Sequence, residues 1–294
     1  MSASGMRPTV LVGVDGSATA EKAVRWGAME AARHGVPLRL VTAIGPTADR
    51  GLPGRHDNYQ DALREHADVR LAHAAEEAQR QAPGIEIEQE RVIGSPLSVL
   101  VAESRRARLV VIGDRGLSRI EGLMAGSVAV ALATHASCPV VIVRGDERGP
   151  ADLPVVVGID ATAEAAIAFA FDAAATRQVP LVAVHTWSDL AFSSAMAGVV
   201  LDWAAIDVEE AEQLSERLAG WSRKYPDVPV ERVITRESPA TGLLTWATRA
   251  QLVVVGSRGH GEFAGLVLGS VSNALLHRAA CSVAVVRDIA DLPS

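Results

Sequence analysis

The chain repeats itself. At a constant offset of 143 residues, Val36-Pro37-Leu38 recurs as Val179-Pro180-Leu181, and the run Ala107 to Gly116 (ARLVVIGDRG) recurs as Ala250 to Gly259 (AQLVVVGSRG). Gly126-Ser127-Val128 recurs as Gly269-Ser270-Val271, and Cys138 as Cys281. A fixed offset over most of a domain is the mark of a tandem duplication with almost no net insertion. It restricts the fold to something half the chain can build, twice. The length of 294 residues suits two ordinary domains, and 49% apolar residues suffice to fill two cores. Aromatics make up only 4%, so packing rests on Ala, Val and Leu, which favours an alternating α/β plan over an all-β sandwich.

Each half reads as five strands alternating with four helices. In the first half, Thr9 to Asp15 is a β-branched run, and Glu21 to His34 follows with helical spacing. Leu38 to Ile44 is the second strand, and a Gly/Pro-rich loop from Gly45 to Asn58 leads to a long helix ending near Ala82. Glu86 to Ile93 is the third strand, and Ser95-Pro96 supplies an N-cap and a helix-first proline. Leu109 to Ile112, Ser127 to His135 and Val140 to Val143 complete the half. The second half follows the same order, opening at Val155 to Asp160, repeating the cap at Ser238-Pro239 and closing at Ser282 to Val286. The polar stretch Gly145 to Pro154 joins them, so the expected division is residues 1–145, a linker at 146–153, and residues 154–294. Nearly continuous apolar strands separated by helices predict parallel sheets with helices on both faces, a Rossmann-like architecture.

Charge and cysteine usage remove several classes of function. A net charge of -7 and no long Lys/Arg run argue against nucleic acid as a partner. The N-terminal MSASGMRP has no apolar signal core, and no apolar run approaches bilayer length, so neither secretion nor a membrane is expected. Two cysteines without metal-type spacing fit a reducing cytoplasm. They precede apolar last strands and read as inert small hydrophobes. His56, His66 and His73 are spaced by ten and seven residues, which suits no common metal motif. Trp187, Trp203, Trp221 and Trp246 fall in the second half, where packing explains them more simply than base stacking.

In open parallel sheets, ligands sit beyond the carboxyl ends of the strands. There the sequence places Gly113, Gly116 and Gly126-Ser127, in the spacing Gly-x2-Gly-x9-Gly-Ser, and repeats it as Gly256, Gly259 and Gly269-Ser270. Glycines admit a phosphate close to the backbone, and a helix beginning at Ser127 aims free N–H groups at it. No Walker lysine motif is present. Asp15, followed by Gly16-Ser17, reads either as a turn former or as a carboxylate facing a ribose or a metal; Asp160 is its counterpart.

These residues bring a family into view. With its VGVDGS start, VVIGDRG segment and twofold glycine motif, the chain resembles a tandem universal stress protein, in the ATP-binding branch, over nearly its whole length. The resemblance implies a five-stranded parallel sheet of order 3-2-1-4-5 in each half. It also implies ATP as ligand, with Mg or Mn held through its phosphates, in a regulatory stress-response module. By position it implies nucleotide contacts at Asp15, Ala43, Ile112, Gly113, Gly116, Gly126, Ser127 and Val128. The second set is Asp160, Thr186, Val255, Gly256, Gly259, Gly269, Ser270 and Val271. It further implies that the two halves pair within the chain through their last strands; a dimer of whole chains is compatible with it, though no residue argues for one.

Rival readings are an adenylating enzyme, a slow ATPase and a flavin-binding electron carrier. The HIGH-type and SGGxDS-type motifs of adenylating enzymes are absent, and His260-Gly261-Glu262 lacks the second histidine. No candidate base is paired with an arginine or lysine at matching positions in both halves, apart from Arg115 and Arg258 inside the phosphate loops, where they suit charge neutralisation.

The halves depart from each other at one point. ATAE at Ala18 to Glu21 matches ATAE at Ala161 to Glu164 at offset 143, yet Asp15 and Asp160 are 145 apart. The second half therefore lacks the equivalent of Gly16-Ser17. The shortened loop must either draw its first helix toward the sheet or unwind its first turn, with Thr162 available as a replacement cap. A weaker second site is the expected result.

Overall fold

The structure is a computed structural model that describes residues 8–45, 56–116, 126–145, 152–160, 162–186, 203–257 and 268–287. It divides into two compact units, residues 1–147 and 148–294.

In the first unit the elements run β1 (Thr9–Gly13), α1 (Ala18–His34), β2 (Leu38–Ile44), α2 (His56–Gln81), β3 (Ile87–Ile93), α3 (Pro96–Ser104), β4 (Ala107–Gly113), α4 (Ser127–His135) and β5 (Val140–Val143). All pairings are parallel, in the order β3-β2-β1-β4-β5. β1 lies at the centre, with Val10, Leu11 and Val12 fully buried. Consecutive strand side chains point to opposite faces, and two glycines show which helix covers which face. A Cβ on Gly27 of α1 would lie 2.6 Å from Val12, whereas a Cβ on Gly13 would lie 3.1 Å from Leu100 of α3. Hence α1 covers the face of Val10 and Val12, with α2 packed beside it, and α3 and α4 cover the other.

The caps follow the sequence closely. Ser95 accepts from the Ser98 N–H at 3.2 Å with Pro96 at the first helical position, and Ser238 accepts from Thr241 at 3.4 Å. The first helix starts a turn earlier than the hydrophobic spacing predicts: Ser17 caps α1 by accepting from the Ala20 N–H at 3.2 Å. The long helix is under way by His56, inside the stretch expected to be loop.

The second unit runs β6 (Val155–Ile159), α5 (Glu164–Arg177), β7 (Leu181–Thr186), α6 (Trp203–Lys224), β8 (Val230–Thr235), α7 (Pro239–Ala247), β9 (Leu252–Gly256), α8 (Ser270–Arg278) and β10 (Ser282–Val286). Its strands pair in parallel in the corresponding order β8-β7-β6-β9-β10. Gly158 meets Leu243 and Val255, just as Gly13 meets the counterpart residues Leu100 and Ile112.

The units differ in what separates the first two helices. Phe171, Trp221 and Tyr225 stack between α5 and α6, with ring centroids 5.7–6.4 Å apart. The positions 143 residues earlier are Ala28, Ala78 and Ala82, all buried, and there α1 and α2 approach closely. Trp221 is thus a packing residue; Trp187 lies outside the described residues.

Candidate functional site

β1 and β4 are neighbours, so their carboxyl ends deliver Asp15 and Gly113 to one edge. Asp15 Oδ1 accepts from the Ser17 N–H at 2.9 Å, turning the chain into α1. The carboxylate is therefore a turn former, and it also faces the glycine loop: a Cβ on Gly116 would lie 2.8 Å from Asp15 Oδ2. The Thr19 hydroxyl donates to the Arg115 carbonyl, tying the first turn of α1 to the same loop. The Gly126 N–H donates to the Asp114 carbonyl at 3.0 Å, bringing the start of α4 alongside. Asp15, Gly113, Gly116, Gly126 and Ser127 thus converge, as the spacing predicts.

The glycines serve different ends. A Cβ on Gly113 would lie 2.6 Å from the carbonyl carbon and oxygen of Thr19, so this glycine lets α1 seat on β4. That requirement arises from folding rather than from a ligand. Gly126 is the opposite case: the nearest atoms to an added Cβ are the Asp114 carbonyl oxygen at 3.6 Å and Arg115 Cα at 3.9 Å. No described residue demands glycine there.

Gly126 is the N-cap of α4 and supplies no side-chain hydrogen bond, and the helix has no acidic residue in its first turn. The first donors turned back into the protein are the N–H groups of Ala129 and Val130, both to the Gly126 carbonyl. Ser127 is exposed and Val128 half-buried at this end. The helix therefore offers its positive end, with no acidic residue in its own first turn, beside a glycine-bearing loop, which is the arrangement that receives anions. Charge around the loop is balanced one step back, where Arg144 and Arg115 lie 3.5 and 3.4 Å from the Asp114 carboxylate.

The positions carried over by resemblance fall on the same edge. Ala43 sits near the end of β2, opposite Val92 in β3, and is half-buried. Ile112 is buried, with its side chain against Gly13, so only its backbone is open to a ligand.

In the second unit the Gly269 N–H donates to the Ser257 carbonyl at 2.9 Å, and Gly269 caps α8 without a side-chain bond. Ser270 is exposed and Val271 half-buried, as in the first unit. Val255 is buried in β9, Gly256 ends that strand, and Thr186 ends β7 opposite Thr235. Gly259 and Arg258 lie outside the described residues.

The missing two residues act by unwinding. α5 begins at Glu164, the counterpart of Glu21, whereas α1 begins three residues earlier at Ala18. Thr162 does not cap the shortened helix: the N-cap is Ala163, without a side-chain bond. Thr162 turns to Asp160 instead, donating from its N–H at 2.8 Å and its hydroxyl at 2.9 Å to the same carboxylate oxygen. Arg217 then takes the Asp160 carbonyl at 2.7 Å. Sequence reasoning missed Arg217, because only the offset within α6 places it under the strand end.

Neither cysteine belongs to this edge. Burial pushes the Cys138 thiol up to about 12, keeping it protonated, and Cys281 is buried. Among the described residues no group of three or more His, Cys, Asp and Glu is arranged to hold a metal, and no helix is long and apolar enough to cross a membrane.

A doubly wound parallel sheet with a glycine-lined helix terminus at its carboxyl edge defines the class as a Rossmann-like α/β fold, present in two copies. The chain belongs to the universal stress protein family, whose model matches residues 6–144 and again 153–287. A universal stress protein of Mycobacterium tuberculosis is 39% identical over 298 residues, covering 98% of this chain and 99% of the relative. One of Mycolicibacterium smegmatis is 39% identical over 289 residues, covering 95% and 96%. The crystal structure of a universal stress protein from Archaeoglobus fulgidus superposes with a TM-score of 0.71 at 21% identity, covering 95% of this chain and 98% of that one, which establishes likeness of fold.

Proposed function

We propose that the first unit binds ATP at the edge formed by Asp15, Gly113–Gly116 and Gly126–Ser127, and that occupancy, rather than turnover, is the output of this cytoplasmic stress-response module. The observation that carries the reading is the start of α4 at Gly126, which has no side-chain cap and which no described residue requires to be glycine. The free N–H groups at Ser127 and Val128 and the Ser127 hydroxyl suit phosphate oxygens, and Arg115 supplies a charge beside them. Asp15 faces the loop as an acceptor for a ribose hydroxyl or for Mg or Mn held through the phosphates. The edge of β2 at Ala43 leaves backbone for a base. The second unit repeats the helix terminus, but with Asp160 engaged by Thr162 it is the weaker site.

The test is direct. Denatured protein should release adenine nucleotide, quantified per chain, or the nucleotide-free protein should bind ATP by calorimetry with Mg or Mn present. Failure of both refutes the proposal. Turnover should lie far below the ~10 s⁻¹ typical of enzymes, because the sequence offers no candidate base paired with a lysine or arginine at matching positions of both halves outside the phosphate loops. A steady-state rate near that value would favour the hydrolytic alternative.

A further inference from the structure

The first unit carries a pocket between α1 and α2, beside the turn of α1 that holds the glycine loop through Thr19. Val14 follows Val10 and Val12 in pointing to the α1/α2 side, whereas Asp15 faces the loop. Between α1 and α2 there, a cavity of about 230 Å³ has Val14, Val24 and Ala74 in its apolar floor, and Glu21, Arg70 and His73 around its polar rim. Val24 and Ala74 are almost fully buried, whereas Arg70 and His73 reach solvent. This is below the roughly 300–1,000 Å³ of sites for drug-sized ligands, so the occupant is small.

Two opposite charges at this pocket are left open. The side chains of Glu21 and Arg70 form no ion pair or hydrogen bond with each other or with any other described residue. Glu77, the other carboxylate of the lining, already pairs with Arg25 at 3.2 Å and with Arg80. The sister unit shows how the same place looks when the chain satisfies itself. Glu164, counterpart of Glu21, accepts the Trp221 indole N–H at 2.8 Å, and Trp221 stands where the first unit has Ala78. Arg217 stands where the first unit has Ala74, and its guanidinium donates to the Asp160 carbonyl. The donor that Glu21 lacks is built into the second unit, and Arg217 there occupies the space that Ala74 leaves open in the first.

We propose that the α1/α2 pocket of the first unit binds a small zwitterion of the free amino-acid kind, its ammonium on Glu21, its carboxylate on Arg70 and its apolar side chain against Val24 and Ala74. A guanidinium matches a carboxylate in geometry as well as charge, and a carboxylate receives an ammonium through charge-assisted bonds. The floor selects a modest apolar group. The inference stands apart from the nucleotide reading, since the two sites share no ligand-facing side chain.

The experiment titrates the twenty standard amino acids, one at a time, into the full chain by calorimetry, with ATP affinity measured separately. At least one amino acid should bind, and its N-acetyl and carboxamide derivatives should bind about tenfold or more weakly, each having lost one charge. Ala74→Arg, which copies the sister unit, should fill the pocket and abolish amino-acid binding while ATP affinity and the circular dichroism spectrum stay as in the parent. Glu21→Gln and Arg70→Gln, whose side chains have no partner among the described residues, should each weaken binding by about tenfold or more with the fold intact, and they decide the matter if Ala74→Arg misfolds. No binding tighter than about 1 mM across the panel overturns the proposal. So does binding that persists in both charge variants, or derivatives that bind as well as the parent amino acid.

Discussion

Replacing Gly113 with alanine puts a methyl group 2.6 Å from both the carbonyl carbon and the carbonyl oxygen of Thr19. Favourable carbon contacts lie at about 3.5–4.0 Å, so α1 or β4 must shift by about an ångström. The obstacle is backbone, and it is backbone already committed. Ser17 caps this turn, and the Thr19 hydroxyl is bound to the Arg115 carbonyl. Overpacking of this kind costs about 1–3 kcal/mol, offset by about 0.4–1 kcal/mol from the stiffer unfolded chain. A net loss of about 1–2 kcal/mol is expected.

Gly126→Ala is the control within the same motif. Its φ of -68° and ψ of 144° are open to any residue, and the nearest atom to the new methyl is 3.6 Å away. Losing glycine at an N-cap costs about 0.5–1 kcal/mol, which the stiffer unfolded chain roughly cancels. In urea unfolding followed by circular dichroism, Gly113→Ala should lower the midpoint of the first unit by about 0.5–1 M, for a slope of about 2 kcal/mol/M, and Gly126→Ala should barely move it. Native-state hydrogen exchange at β1 and β4 assigns the loss to the first unit. Equal midpoints for parent and Gly113→Ala, or an equal fall in both variants, would refute the division of labour between these glycines.

Three further outcomes follow from the geometry. With Gly269→Glu blocking the second site and Gly126→Glu the first, the protein retaining the first site should bind ATP more tightly, by up to about tenfold for one hydrogen bond of roughly 0.5–1.5 kcal/mol; calorimetric titration of both variants checks the order. Burial raises the Cys138 thiol to about 12, so its neutral form is favoured in the folded state. Its stabilisation is complete below the unfolded value of about 9 and falls by about 1.4 kcal/mol per pH unit as pH rises from there toward 12. Urea midpoints of Cys138→Ser should therefore decline less than those of the parent over that range. Gln178 ends α5 in the left-handed region at φ 56°, where Gly35 ends α1 at φ 60°, so Gln178→Gly should stabilise the second unit by about 0.5–1 kcal/mol, read as a higher thermal midpoint.

What was legible in the sequence was what is local or repeated. The order of elements, the Ser-Pro starts at Ser95 and Ser238, and the convergence of Asp15 with Gly113, Gly116 and Gly126 all follow from spacing at strand ends. The start of α1 had its signal in Ser17, which the apolar spacing from Glu21 onward overshadowed. The choice between a displaced and an unwound first turn in α5 was not legible. It depends on how strongly Thr162 is drawn to Asp160, a competition between two short local bonds. Gly113 read as a phosphate glycine, because its clash with Thr19 joins residues on separate elements. The α1/α2 pocket was invisible for the same reason: it turns on Ala74 against Arg217 and Ala78 against Trp221, meaningful only once α2 and α6 are seated.

The grip of Thr19 on Arg115 makes α1 a mechanical link. One helical turn further along the same face, Lys22 Nζ donates to the carbonyl of Gly145 at 2.8 Å, where the chain has left β5 on its way to the second unit. Residues three apart on a helix move together, so a displacement of the loop at 113–116 reaches the departing chain through a rigid strut about 5 Å long. The glycine loop and the chain at Gly145 are therefore held by adjacent turns of one helix, and neither moves without loading the other.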